Sequence, residues 1–261
     1  MQKIEFIMGM PIIVDPGETQ VFDYFREIDE RFSSYKKNSE VTAINDGRLK
    51  IKNASRDMKL ILKLAEETRK ETGGYFDVYH NNYLDPSGIV KGWAIYEASK
   101  ILDKKGTKKY YINAGGDIQT KGGPWTVGIR NPFKTNENVK IVYLNGEGIA
   151  TSGTYEKGNH IYDPHSMNSN FENSFLRSRQ TSWPVTSFSG NSHKDVGSIV
   201  SITVIGKNVY EADRFATAAF AMGKNGINFI EKQDGLEGYM IDVDGIGTMT
   251  SGFEKYVEAR G

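Results

Sequence analysis

"SIVSITVIGKNVYEADRFATAAFAMG" runs from Ser198 to Gly223. Its first nine residues are rich in β-branched and apolar side chains and stop at Gly206, the pattern of a strand bounded by a turn. From Asn208 the residues become small and apolar, the pattern of a mostly buried helix. Three earlier runs share the character of the first half: "KYYINAGG" (109–116), "WTVGIRNP" (125–132) and "VKIVYLNGEGIATSG" (139–153). Strands therefore come in clusters, and so do helices. That grouping predicts an α+β protein with packed helices and clustered antiparallel or mixed strands, and not a regular βαβ alternation.

The flanks agree. Residues 3–14 alternate enough for one strand, and 17–33 carry Val21, Phe22, Phe25, Ile28 and Phe32 at helical spacing. Ser55 is placed to cap a helix over 58–71 that Gly73 and Gly74 stop. A further helix is expected over 89–104, ending before Gly106, and Ser39 with Glu40 and Thr42 suggests a capped helix start. "EGYMIDVDGIGTMTSGF" (237–253) reads as a terminal hairpin. With no internal repeat and no linker, a single domain over 1–261 is expected. Residues 166–197, rich in Ser and Asn and without periodicity, read as a long loop, of the kind that is either functional or disordered.

Composition narrows the function. Lys+Arg and Asp+Glu both number 33, so zero net charge gives no reason to expect a nucleic-acid partner. The chain has no cysteine, which excludes disulfides, thiolate metal sites and cysteine nucleophiles. No apolar run approaches the roughly 18 residues of a membrane span. The chain alone predicts a cytoplasmic protein, or an exported one whose signal has been removed.

Several polar groups stand out. Asp213 and Thr217 are four apart and share one face of the helix in the opening stretch. Two readings are open: a capping Asp with a Thr bonded back to a carbonyl, or a hard-cation site suited to Mg²⁺. Lys91 and Gly92 fall near a helix start, where a Lys is either solvated or aimed at a phosphate. Gly115 and Gly116 permit a tight turn or a close approach to a ligand. Thr151, Ser152 and Gly153 read as a turn after a strand. His160 and Asp163, three apart before Pro164, read as a surface pair or as a general base held in one tautomer. His165 flanks the same Asp, but no third metal ligand is evident. Tyr35 reads as surface or as a stacking platform. Neither a dinucleotide fingerprint nor a P-loop occurs.

Ten short motifs fall in a definite order: "MGM", "SSYKKNSEVTAIN", "GGYFD", "GIVKGWAI", "NAGGDI", "WTVGIRNP", "IATSGTYE", "HIYDPHS", "SITVIG" and "EADRFATAAFAMG". In that order they resemble the ApbE family, the FAD:protein FMN transferases, from about Met8 to Gly223. The resemblance implies FAD as substrate, Mg²⁺ as cofactor, transfer of FMN to a Ser or Thr hydroxyl of an electron-transfer type acceptor protein, and release of AMP. It implies Asp213 and Thr217 as metal ligands, completed by a backbone carbonyl near Ser87 or Gly88. It places Lys91 near the phosphates, His160 as the base, and Asp163 as the residue that orients its loop. Met8, Tyr35, Gly115, Gly116, Asp117, Thr151 and Ser152 would line the FAD site. Three departures stand beside the match: "LDPSGIVKG" (84–92) where the family reads "LDLGGIAKG", Met10 in place of a Thr, and a probable insertion over 167–183 that would shape the acceptor site. The altered 84–92 segment keeps open an FAD-binding protein without transfer. A site that admits water would instead make a Mg²⁺-dependent FAD pyrophosphatase.

Overall fold

The computed structural model describes residues 1–80, 82–134, 136–153 and 198–257. An eight-stranded sheet carries the fold. Its strands are β1 (Lys3–Ile7), β2 (Met10–Asp15), β5 (Tyr110–Ala114), β6 (Asp117–Lys121), β9 (Gly148–Gly153), β10 (Ile199–Gly206), β11 (Glu237–Asp242) and β12 (Gly247–Met249), adjacent in that order. Every one of these pairings is antiparallel. Two small hairpins stand apart: β3 (Tyr79–His80) with β4 (Tyr83–Leu84), and β7 (Trp125–Arg130) with β8 (Asn138–Leu144).

The stretch 3–14 forms two strands, not one. Met8 and Gly9 both take positive φ, 57° and 72°, and close a two-residue turn that pairs Ile7 with Met10. Positive φ at both central positions is the geometry that matches the twist of a tight hairpin. Methionine does not advertise that conformation, so alternation ran on through the turn.

Helices cover one face of the sheet. These are α1 (Thr19–Phe32), α2 (Glu40–Asn45), α3 (Arg56–Glu71), α4 (Ser87–Lys104), α5 (Val209–Ala221) and α6 (Gly226–Glu231). The helical spacing of α1 is the spacing of its buried face: Val21, Phe22, Phe25, Ile28 and Phe32 are all buried. They pack with Ile12 and Val14 of β2, Ile112 of β5 and Ile95 of α4. A second apolar cluster joins Ala212, Phe215 and Ala219 of α5 to Ala150 of β9 and Val204 of β10. On the opposite face, β7 and β8 pack Ile129, Val142 and Leu144 onto Ile118, Ile149 and Ile205. The result is helices, sheet and a small hairpin in three layers.

The caps follow the sequence. The Ser55 hydroxyl accepts from Met58 N–H at 3.1 Å and opens α3 at Arg56. The Ser39 hydroxyl accepts from Thr42 N–H at 3.0 Å, while Glu40 accepts from the backbone and hydroxyl of Ser55 and so ties α2 to α3. Helix α4 starts two residues before the expected position. The Asp85 carboxylate accepts from Ser87 N–H at 3.0 Å, which lets the helix open directly after Pro86. Thr151–Gly153, expected as a turn, are the last residues of β9 and pair with β10. The loop expected over 166–197 and the insertion over 167–183 lie outside the described residues.

The terminal hairpin holds a local electrostatic device. The Asp242 carboxylate accepts from Ile246 N–H at 2.9 Å and Asp244 N–H at 3.0 Å. The Ile246 bond leads in holding its pKa below the ordinary 3.8, against a smaller desolvation effect, with Lys224 assisting. The folded value is the lower one. The stabilisation is therefore complete above about 3.8 and is lost as pH falls through the folded value. In an NMR titration the amide shifts of Asp244 and Ile246 are expected to move together, with a midpoint below 3.8. A midpoint at or above that value would mean that the turn does not hold the carboxylate.

Candidate functional site

Lys91, Gly92, Asp117, Ser152, Asp213 and Thr217 come together where α4 and α5 pack on β6 and β9. Asn208, not Asp213, caps α5: its side chain accepts from Glu211 N–H at 2.9 Å. Asp213 instead reaches across to α4, where its Oδ2 accepts from Gly92 N–H at 2.8 Å. A Cβ on Gly92 would lie 2.6 Å from Asp213 Cβ, so only glycine lets the two helices approach this closely. One turn away, a Cβ on Gly88 would lie 3.4 Å from the Thr217 methyl group. Gly88 and Gly92 of α4 thus face Thr217 and Asp213 of α5, and the helices run antiparallel.

In a regular helix the Gly92 N–H points at the Gly88 carbonyl. The Asp213 carboxylate shares that donor, which brings a carboxylate oxygen and the Gly88 backbone to one place. Ser152 of β9 adds a hydroxyl 3.5 Å from the Thr217 hydroxyl.

Lys91 is not a solvated lysine. Its side chain is 17% exposed and its Nζ sits 2.5 Å from Asp117 Oδ2 and 3.8 Å from Asp213 Oδ1. Both carboxylates are almost fully buried. The Asp117 contact is an ion pair by distance whose angles fall short of a hydrogen bond. The other Asp117 oxygen accepts from Thr151 N–H at 3.1 Å, which fixes the side chain between β6 and β9. Two buried carboxylates therefore stand beside one ammonium.

The chemistry of the donors tests whether a divalent cation fits. The available donors are hard oxygens: the Asp213 carboxylate, the Thr217 and Ser152 hydroxyls and the backbone at Gly88. Among the described residues no three His, Cys, Asp or Glu side chains cluster as a cage. Mg²⁺ suits such a set, because it keeps waters and takes one or two carboxylates plus phosphate oxygens. The residues fit the ion.

Beside this cluster, between the sheet and the β7–β8 hairpin, lies a cavity of about 360 Å³. Gly115, Gly116, Asp117 and Thr151 line it. Both glycines have positive φ, 59° and 99°, in the turn from β5 to β6. The Met10 sulfur packs against Gly115, where a Cβ would come within 2.9 Å, and this places the first hairpin at the same end of the sheet. Met8 lies in that hairpin turn, partly buried against the core. Tyr35 is 97% exposed. Its neighbour Ser34 donates to Asp85 at 3.3 Å, so its loop stands beside the start of α4. Thr151 and Ser152 face opposite sides of the sheet, the first toward the cavity and the second toward α5. His160 and Asp163 lie outside the described residues.

Several contributors were not singled out in the sequence. Trp125 and Arg130 also line the cavity. Trp125 packs edge-on against Tyr111 with ring centres 5.0 Å apart. Gln119 and Gly148 seat the start of α5: Gln119 Oε1 accepts from Val209 N–H at 2.9 Å, and a Cβ on Gly148 would fall 1.9 Å from the same nitrogen. Arg214, next to Asp213, is a buried guanidinium that bonds Glu211 at 2.9 Å and also pairs with Glu71 of α3. Burial works against its charge, but the two carboxylates outweigh that and raise its pKa. No local pattern distinguishes any of these from ordinary surface or core residues.

The geometry defines a class: an antiparallel α+β protein with a carboxylate–hydroxyl helix face packed on a glycine face at one end of its sheet. The model of the ApbE family matches residues 5–82 and 78–240, most of the chain, and the chain belongs to that family. An FAD:protein FMN transferase of Klebsiella pneumoniae is 29% identical over 182 residues, covering 64% of this chain and 45% of the relative. One of Haemophilus influenzae is 27% identical over 208 residues, covering 76% and 55%. The chain spans about half the length of the curated relatives it matches. The crystal structure of the ApbE protein of Thermotoga maritima shares the fold, with a TM-score of 0.79, 19% identity and 99% coverage of both chains. The flavin transferase ApbE of Vibrio cholerae superposes with a TM-score of 0.71 at 20% identity, covering 98% of this chain and 99% of that one.

Proposed function

We propose that this protein is an FAD:protein FMN transferase. It takes FMN from FAD, passes it to a Ser or Thr hydroxyl of an acceptor flavoprotein of electron-transfer type, and releases AMP. The observation that carries this reading is the meeting of Asp213, Thr217, Gly88 and Lys91 beside a cavity lined by Gly115, Gly116, Asp117 and Thr151. Membership of the ApbE family and the names of its relatives support it.

In the reaction, the acceptor oxygen bonds to the FMN phosphorus while the bond from that phosphorus to the AMP phosphate breaks. AMP leaves with the electron pair, and the hydroxyl proton goes to a base. Such transfers depend mostly on positioning and charge neutralisation. Asp213 and Thr217, with the Gly88 backbone, would hold Mg²⁺, which supplies positive charge against the diphosphate. Lys91 adds a second cation at the same place. The Gly115–Gly116 turn lets the diphosphate approach the backbone, and Arg130 offers a guanidinium from the hairpin side of the cavity. His160, on the strength of its motif, is the base, with Asp163 orienting it, and the segment 167–183 shapes the acceptor site. We take residues 1–261 as one ApbE-like domain.

The test is an FAD titration of the purified protein, with and without Mg²⁺, following flavin fluorescence and AMP together. FAD binding with Mg²⁺-dependent AMP and labelled acceptor supports the transferase. AMP and free FMN without labelled acceptor would make it a pyrophosphatase, and binding without AMP a store of FAD. His160→Ala is expected to lower the transfer rate by about 10²–10⁴-fold, the usual contribution of a general base, with FAD affinity changed by only a few-fold. Equal losses in rate and in affinity would mark His160 as structural.

A further inference from the structure

We infer that Phe76 is a positioning residue for the candidate cation site. Its ring sets the rotamer of Thr217, so that the methyl group packs toward α4 and the hydroxyl is left for the cation. The inference rests on the cation site proposed above. Phe76 is 3% exposed and lies in the "GGYFD" stretch between α3 and α4. A Cβ on Gly88 would meet Phe76 Cε2 at 3.4 Å, Phe76 Cζ at 3.9 Å and Thr217 Cγ2 at 3.4 Å. Ring and methyl therefore converge on the bare backbone of one glycine. The other branch of the Thr217 side chain, its hydroxyl, stands 3.5 Å from the Ser152 hydroxyl of β9.

The rotamer matters because threonine has a choice. In a helix its side chain divides between two χ1 states, one of which turns the hydroxyl back to a carbonyl of the preceding turn. A hydroxyl engaged in that way is lost to a cation. Turning χ1 also takes the methyl out of the notch between Phe76 and Gly88, which gives up its apolar contacts there. Phe76 is itself held from α5. Its N–H donates to Thr72 Oγ1 at 3.2 Å, and the Thr72 hydroxyl donates to the Thr68 carbonyl at 2.8 Å. Arg214 Nη1 donates to Thr68 Oγ1 at 3.2 Å, and the same guanidinium pairs with Glu71. The helix that carries Thr217 thus also anchors the ring that orients it.

The test is NMR on the full chain, without FAD or acceptor. Three-bond couplings of the Thr217 methyl carbon to its own backbone nitrogen and carbonyl carbon read χ1. Titration with MgCl₂, followed at the Gly92 amide, reads the affinity. The parent is expected to hold one rotamer. Phe76→Leu keeps apolar bulk but removes the ring. It is expected to average the couplings between two rotamers and to weaken Mg²⁺ binding roughly tenfold, in the range known for groups behind metal ligands. Thr217→Ser keeps the hydroxyl but gives the ring no methyl to hold, and should weaken binding by a similar factor. Combining the two then changes the affinity little further. Averaged couplings in the parent, a single rotamer in Phe76→Leu, or fully additive weakening in the double variant overturns the proposal. If Phe76→Leu folds poorly, Thr217→Ser decides: binding as tight as the parent's overturns it. Asp213→Ala separates this from the underlying reading. If it abolishes Mg²⁺ binding while Phe76→Leu binds like the parent, the cation site stands and the role of Phe76 falls; if Asp213→Ala binds like the parent, the site itself is misassigned and the inference falls with it.

Discussion

Asp213→Ala is expected to lower Mg²⁺-dependent release of AMP from FAD by at least about 10²-fold in kcat/KM, the scale of losing one preorganised electrostatic group. Two effects combine in it. The charge that would hold the cation disappears, and Lys91 loses a carboxylate neighbour. The loss of an acceptor for the buried Gly92 N–H costs stability as well, on the order of 1 kcal/mol. Asp213→Asn separates the two, because its amide oxygen can keep the Gly92 bond while the charge is gone. Both variants are expected to be inactive, with Asp213→Asn unfolding close to the parent temperature. Substantial activity in Asp213→Asn would remove the carboxylate from the cation site.

Gly148→Ala is expected to be the most damaging single-atom change of the fold. Its Cβ would lie 1.9 Å from Val209 N and 2.3 Å from Asn208 C, and both are backbone atoms at the start of α5. No rotamer relieves such a contact, so β9 and α5 must move apart. Overpacking of this kind costs about 1–3 kcal/mol and sometimes more, and here the upper end applies. The displaced helix carries Asp213 and Thr217, so the activity should fall along with the melting temperature. A variant that melts within a degree or two of the parent would show that the helix start has slack.

The helices were largely legible because their information is local. The spacing of Val21, Phe22, Phe25, Ile28 and Phe32 matches the buried face of α1, and Ser55 caps α3 as expected. Asp213 and Thr217 stood out because a carboxylate among alanines is conspicuous. What the sequence could not show was the partner of each group. Asp117 looks like an ordinary strand residue until the sheet and α4 bring Lys91 to it across 26 positions of chain. The roles of Gly92 and Gly148 lie in what stands opposite them. The order of the sheet depends on pairings between distant segments, and the turn at Met8–Gly9 hid inside an apolar run because only its glycine signals a left-handed backbone.

The antiparallel contact of α4 with α5 also works as a ruler. Four residues separate Asp213 from Thr217 and four separate Gly88 from Gly92, so each pair is spaced by about 6 Å of helix rise. The distance between the two oxygen donors is then a property of helical pitch, and the depth at which they meet α4 is set by two absent side chains. Surrounding loops can diverge in length and composition without altering either quantity. A one-residue insertion between Gly88 and Gly92 would be different: it would turn the glycine face about 100° away from its partners and unmake the gauge with the core composition left almost unchanged.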